Sequence, residues 1–303
     1  MELPLPRYFT AASVNSYIVT DTPVTLIDTG AFFNTSVETL KKELSRFNIK
    51  ISDIKRILLT HGHVDHCGVA GYLHDNFGTE VHIHSFDKSK VIFTDKEKLA
   101  IREKTFISLI DSLDFSTNLQ KDLETFFSEF FHYGTVVKKI SFFKHGDKIK
   151  FENFLLKVIH LPGHTAGSCG FITPDNNFIT GDAILKNFFV TPVLEFKENG
   201  VLHDNFKNYI KTLQNLKNFT HYNILPGHGN GNFDIKKRAD NLLEHIENLI
   251  STFKEKYNPS LSVKENFENM YQNVNSKNFY FFFSLFYGIF NYLGYEKDVS
   301  LQI

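Results

Sequence analysis

Cysteine is scarce in this chain: 303 residues carry only Cys67 and Cys169. A disulfide-framed fold needs more, so a reducing, cytoplasmic setting is expected, although sequence alone leaves a pairing between these two open. The start, Met1-Glu2-Leu3-Pro4-Leu5-Pro6, lacks the basic segment and apolar core of a signal peptide, which points the same way. Net charge is also nearly absent, at −1 from 33 basic and 34 acidic residues. That removes any global electrostatic reason to expect nucleic acid or an anionic membrane as a partner. Long hydrophobic runs are missing too. The most apolar late stretch, 279–290, is 12 residues long, short of the roughly 20 that a membrane span requires, and its aromatics suit a buried helix. Tryptophan is absent against 33 phenylalanines, which reads as compositional bias rather than function. What remains, 42% hydrophobic and 22% charged residues, describes an ordinary globular chain with one large domain or a domain plus an appendage.

Histidine, by contrast, is plentiful at 14 residues, and its placement is not random. The run Thr60-His61-Gly62-His63-Val64-Asp65-His66 packs three imidazoles and a carboxylate just after the apolar strand residues Ile57-Leu58-Leu59. Gly62 permits a tight turn there, and only a metal makes good use of such crowding. Imidazole nitrogen with carboxylate oxygen suits zinc first, with iron or manganese also accommodated. Three later segments each place one further donor in a glycine-bearing loop after an apolar run. They are Leu161-Pro162-Gly163-His164-Thr165, Thr180-Gly181-Asp182-Ala183 and Leu225-Pro226-Gly227-His228-Gly229. The histidines at 74, 82, 84, 132, 145, 160, 203, 221 and 245 have no such setting and are not assigned to metal; His82 and His84 are expected on one face of an edge strand.

With these motifs in this order, the chain resembles the metallo-β-lactamase-fold hydrolase superfamily over roughly residues 10–250, in its glyoxalase II-like or β-lactamase-like 2-like branch. The resemblance implies an α/β fold, a four-layer αββα sandwich with a dinuclear site on one edge. It puts His61, His63 and His164 on a first metal, Asp65, His66 and His228 on a second, and Asp182 between them. Asp28, in Ile27-Asp28-Thr29-Gly30, would orient a ligand imidazole. His63 stands where the di-iron oxygen-reducing branch has an acidic residue, which sets this chain apart from that branch. Two divalent cations, most simply zinc, would drop the pKa of water from 15.7 toward about 7 and supply a hydroxide nucleophile. Asp65 would double as a proton shuttle, so Asp65 and Asp182 are the catalytic candidates.

Residues 16–30 read as two strands, 34–47 and 69–77 as helices, and 136–149 with 154–159 as the second sheet. A helical insertion is expected at about 86–134, with apolar stripes through Leu99, Ile101, Phe106, Leu109, Ile110 and Leu113 and through Leu123, Phe126, Phe127, Phe130 and Phe131. A lid or substrate wall and a hairpin packed on the domain both stay open for it. Pro259 marks the expected boundary between a catalytic unit, 1–257, and a C-terminal helical appendage, 258–303, either winged-helix-like or a cap completing the core. The expected activity is hydrolysis of an ester-type bond (thioester, lactone or related ester) in a small molecule. The alternative is a phosphodiesterase or endoribonuclease using the tail to hold RNA. It is disfavoured because Lys264, Lys277 and Lys297 are interleaved there with Glu265, Glu268, Glu296 and Asp298. A homodimer is left open and no membrane partner is expected.

Overall fold

The computed structural model describes residues 1–92, 96–197, 199–272 and 274–295, with 96–103 described as helix only. Side chains of Leu99 and Ile101, and the tail charges Glu296, Lys297 and Asp298, lie outside the described residues.

The chain opens with a short antiparallel pair, β1 (Glu2–Pro4) and β2 (Ser13–Asn15). The first sheet follows: β3 (Tyr17–Val19), β4 (Thr25–Ile27), helix α1 (Ser36–Ser45), β5 (Arg56–Leu58), the one-turn helix α2 (Val64–Cys67), α3 (Ala70–Phe77) and β6 (Glu80–His84). The insertion contributes α4 (Lys88–Val91), α5 (Lys96–Ser112) and α6 (Thr117–Phe131), after which β7 (Ile140–Phe143) returns to the first sheet. The second sheet is built from β8 (Lys148–Lys150), β9 (Leu155–His160), β10 (Cys169–Ile172), β11 (Asn177–Gly181) and β12 (Asn223–Pro226), with α7 (Asn205–Leu216) before its last strand. Helices α8 (Ile235–Lys256), α9 (Val263–Met270) and α10 (Ser276–Tyr292) complete the described chain. Strand orders are β3-β4-β5-β6-β7 and β12-β11-β10-β9-β8.

Strand alternation assigns each side chain to a layer. Ile27 and Leu58 point inward, meeting Val158, Phe171 and Ile179 of the facing sheet. Their neighbours Leu26 and Ile57 point outward against Leu40 and Leu44 of α1 and Leu73 of α3. Each such buried aliphatic contributes about 1.5–3 kcal/mol. On the far side, Phe178 and Ile224 meet Leu213 and Leu216 of α7 and Leu242 and Ile246 of α8. This is the expected αββα sandwich. Helix ends are set locally: Gly78 closes α3 at φ 67, Ser116 and Asp234 cap α6 and α8, and Ser262 with Glu265 forms a capping box on α9.

Two expectations need correcting. The segment 136–149 does not lie wholly in the second sheet, because β7 pairs in parallel with β6 (His82 opposite Ser141) while β8 pairs with β9. The turn at Gly146, φ 85, therefore carries the chain from one sheet to the other. For the same reason β6 is an interior strand rather than an edge; its neighbour β7 takes the edge. The phenylalanines of the insertion pack inward. Phe106, Leu109, Leu123, Phe126 and Phe127 share a core with Phe279, Phe283 and Phe286 of α10, and among large described apolar residues of the insertion only Phe86, at its start, is exposed. The segment from 258 shares that same core through Phe267 and the α10 aromatics, with no strand among its described residues. No described helix is long and apolar enough to cross a membrane.

Candidate metal centre

All eight residues singled out from the motifs come to one edge of the sandwich, where strands from both sheets end. Asp28 follows β4, His61 and His63 follow β5, and Asp65 and His66 sit on α2. From the other sheet, His164 follows β9, Asp182 follows β11 and His228 follows β12. The donors group as His61 with His63 and His164, as Asp65 with His66 and His228, and as a linking set of His61, His66 and Asp182, within 4.8 Å inside each group. Asp182 reaches across both halves, with carboxylate oxygens 3.5 Å from His66 Nε2, 3.4 Å from His228 Nε2 and 3.9 Å from His164 Nε2.

Behind the donors, hydrogen bonds fix which nitrogen faces the centre. Asp28 accepts from the Thr60 amide at 2.8 Å and the Thr60 hydroxyl at 2.7 Å, and its second oxygen also takes His66 Nδ1 at 2.8 Å. With its proton committed to Asp28, the Thr60 hydroxyl accepts from His61 Nδ1 at 3.1 Å. His228 Nδ1 donates to the Ser13 carbonyl and His164 Nδ1 to the Thr191 carbonyl, at 2.6 and 3.0 Å. Four imidazoles are thereby turned with Nε2 lone pairs inward.

That arrangement is unfavourable unless something positive lies among the rings. His66 Nε2 and His228 Nε2 are 3.2 Å apart with both Nδ1 protons already spoken for, and His164 Nε2 is 2.9 Å from His63 Nδ1. Among the described residues, His61 Nε2 and Asp182 Oδ1 are buried without any hydrogen-bond partner, a state that costs about 1–3 kcal/mol per group. The donor set, five imidazoles and two carboxylates, fits divalent zinc, iron or manganese.

Electrostatics agree. Burial, reinforced by the neighbouring imidazoles, pushes His61 and His63 well below the usual histidine range, so both stand neutral and ready to ligate. Burial also works against charge on His66 and His228, but the Asp182 and Asp65 carboxylates outweigh it and lift them to about 10 and about 12. Asp182 is buried yet held well below the usual carboxylate range by His228 and His66. At pH 7 His66 and His228 therefore hold protons that an entering cation must displace. Zinc binding is expected to release protons from these two imidazoles and to tighten as pH rises toward 10. Calorimetry in two buffers of different ionisation heat measures the release; heats independent of buffer would contradict it.

Local backbone choices follow from the crowding. At Gly181 (φ 51) a Cβ would press on the Thr60 side chain, and at Gly163 (φ 151) on the Tyr209 backbone. Both thiols are free and buried, Cys67 in the layer under α1 and Cys169 between the sheets, so they do not pair. Burial pushes both thiols up, away from nucleophilic character. Of the basic run near His228, Lys236 pairs with Asp240, and Arg238 donates to the carbonyls of Leu185 and Phe188. The motifs gave no hint of a second buried polar group beside the donors, formed by Asp87, Lys90 and Glu195.

A two-sheet sandwich that gathers histidines and aspartates at its strand ends defines a metal-dependent hydrolase. The metallo-beta-lactamase superfamily description matches residues 9–228, and the chain belongs to that superfamily. It is 27% identical over 232 residues to the probable metallo-hydrolase YqjP of Bacillus subtilis, covering 74% of this chain and 70% of that protein. It is 29% identical over 135 residues to the hydroxyacylglutathione hydrolase GloC of Haemophilus influenzae, 44% of this chain and 51% of GloC. Among solved structures, a metallo-beta-lactamase family protein from Thermus thermophilus superposes with a TM-score of 0.79 at 20% identity, over 98% of this chain and 92% of that one.

Proposed function

We propose that this chain is a dinuclear metal-dependent hydrolase that cleaves an ester-type bond, a thioester, lactone or related ester, in a small molecule. The observation that carries this reading is the Asp182 carboxylate, which faces His66 and His228 on one side and His164 on the other while one oxygen has no hydrogen-bond partner among the described residues. His61, His63 and His164 would hold one cation, Asp65, His66 and His228 the other, with Asp182 shared. Zinc is the first choice, with iron or manganese also compatible. When bound, such a pair lowers the pKa of water toward about 7 and polarises the bond under attack. The chain's part is to orient and to move protons. Asp28 aims His66; Asp65, whose side chain is 15% exposed against 9% for Asp182, is the more accessible of the two carboxylates and would pass a proton to the leaving group.

Ester chemistry is supported by the name of GloC, since a hydroxyacylglutathione is an acyl thioester, and by how the described cations are used. Lys264 donates to the Asp114 carbonyl, Lys277 lies over the Tyr8 ring, and Lys236 and Arg238 are engaged within the chain. A surface that tracks phosphates would leave such groups available. Two buried free thiols favour a cytoplasmic setting. One chain supplies all seven donors, so the site needs no second subunit.

Zinc-, iron- and manganese-loaded protein should be assayed against acyl thioesters, lactones and bis-p-nitrophenyl phosphate. Turnover of a thioester or lactone is expected with kcat/KM on the order of 10⁴ M⁻¹s⁻¹ or more for a good substrate. Turnover of the phosphodiester alone would replace this reading with nucleic-acid chemistry.

A further inference from the structure

We infer that Asp87 is a positioning residue for one half of the metal centre, pinning together the two loops that carry His61, His63 and His164. The inference rests on the dinuclear reading and adds to it a division of labour among the buried carboxylates.

Asp87 is completely buried, and each of its oxygens has two partners. One accepts from the Gly62 amide at 2.8 Å and from the Thr165 hydroxyl at 2.8 Å. The other accepts from the Gly167 amide at 3.0 Å and from Lys90 Nζ at 2.5 Å. Gly62 lies between His61 and His63, and Thr165 directly follows His164. A single carboxylate thus joins a loop of the first sheet to a loop of the second, one residue away from three donors.

The surroundings are shaped for this contact. A Cβ on Gly62 would come within 2.7 Å of Lys90 Cβ, and a Cβ on Gly167 within 2.6 Å of Asp87 Cγ. Both loops carry glycine where Asp87 and Lys90 come close. Lys90 is 5% exposed and also meets Glu195 at 2.5 Å, and Glu195 in turn accepts from the Ala166 amide at 2.8 Å and from Asn205 Nδ2 at 3.0 Å. The ammonium makes it tolerable to bury two carboxylates side by side, since each has a charge partner and further hydrogen bonds.

The other half of the centre is held by different groups. His66 is aimed by Asp28, and His228 by the Ser13 carbonyl; Asp87 touches neither. Asp87 and Lys90 belong to the first turns of the insertion, so the stem of that insertion is tied directly to the three-histidine group.

The test reads metal affinity, by competition with a chromophoric zinc chelator, on folded protein checked by its melting curve. Wild type is expected to bind two zinc ions, and Asp87→Asn to weaken one of them about 10- to 100-fold, the usual cost of losing a residue that orients ligands. In a His228→Ala background, which leaves the three-histidine group, Asp87→Asn should weaken the remaining ion by the same factor. In a His63→Ala background it should leave the remaining ion unchanged. Two ions at wild-type affinity in Asp87→Asn, or equal losses in both backgrounds, would overturn the assignment and leave the dinuclear reading standing. A wild type that binds no zinc would overturn both. Should Asp87→Asn fail to fold, Thr165→Val removes one of the four partners at nearly constant volume. It is expected to weaken the same ion about three- to tenfold, one hydrogen bond's worth; no change in Thr165→Val would overturn the proposal as well.

Discussion

Asp182→Ala is expected to abolish stoichiometric metal binding and to lower kcat/KM by roughly 10⁴-fold or more, the scale seen when one member of an interdependent catalytic set is removed. Its carboxylate lies within 4 Å of imidazoles from both triads. Without it, the inward nitrogens of His66 and His228, 3.2 Å apart, lose the anion that reconciles them. Elemental analysis and kinetics on the same preparation measure the two losses together. A metal-free Asp182→Ala protein with wild-type activity would sink the mechanism; a protein that kept both ions and lost only turnover would restrict Asp182 to a role in the chemical step.

The second large effect is expected at a residue with no side chain. A Cβ on Gly227 would collide with Asp182 Oδ1 and approach His66 Cε1 to 2.8 Å. Its backbone has little room to retreat, because the Gly227 amide donates to the Gly181 carbonyl at 2.8 Å and its own carbonyl accepts from the Asn15 amide at 2.7 Å. Gly227→Ala should therefore displace the shared carboxylate and cost about 10²-fold or more in kcat/KM, as a misplacement of about 1 Å does. Overpacking of this kind also costs about 1–3 kcal/mol, so a melting point several degrees lower should accompany it. Unchanged kinetics in Gly227→Ala would mean that the Asp182 side chain has freedom the packing denies.

Much of the site was legible because its information is local. Each donor sits in a short glycine-bearing segment directly after an apolar strand, so type and position are written together, and the seven donors named from sequence do meet. The layers were legible for a similar reason, since alternation at Leu26-Ile27 and Ile57-Leu58 assigns one residue to each face. Partnership between distant segments was not legible. Nothing in the alternation of 140–143 says that β7 joins β6 rather than β8, because a strand pattern encodes faces and not neighbours. The insertion's aromatics have the spacing of an amphipathic helix whether they face solvent, substrate or α10. Asp87, Lys90 and Glu195 escaped notice because their partners are scattered along the chain, and a charged residue in a helical stretch is ordinarily solvent-exposed.

The division of donors between the sheets carries a consequence for the order of events in the cell. His61 and His63 need His164, and Asp65 and His66 need His228, so neither half of the polypeptide owns a complete chelate. A ribosome-bound chain that has emerged only as far as β7 offers four side chains for two ions, and those four are unsupported from across the interface. Metal affinity is therefore expected to rise once both sheets have docked and each partial set gains its missing donors. A half-emerged chain is then expected to compete less well for a scarce cation than the finished fold, in which donors from both sheets act together.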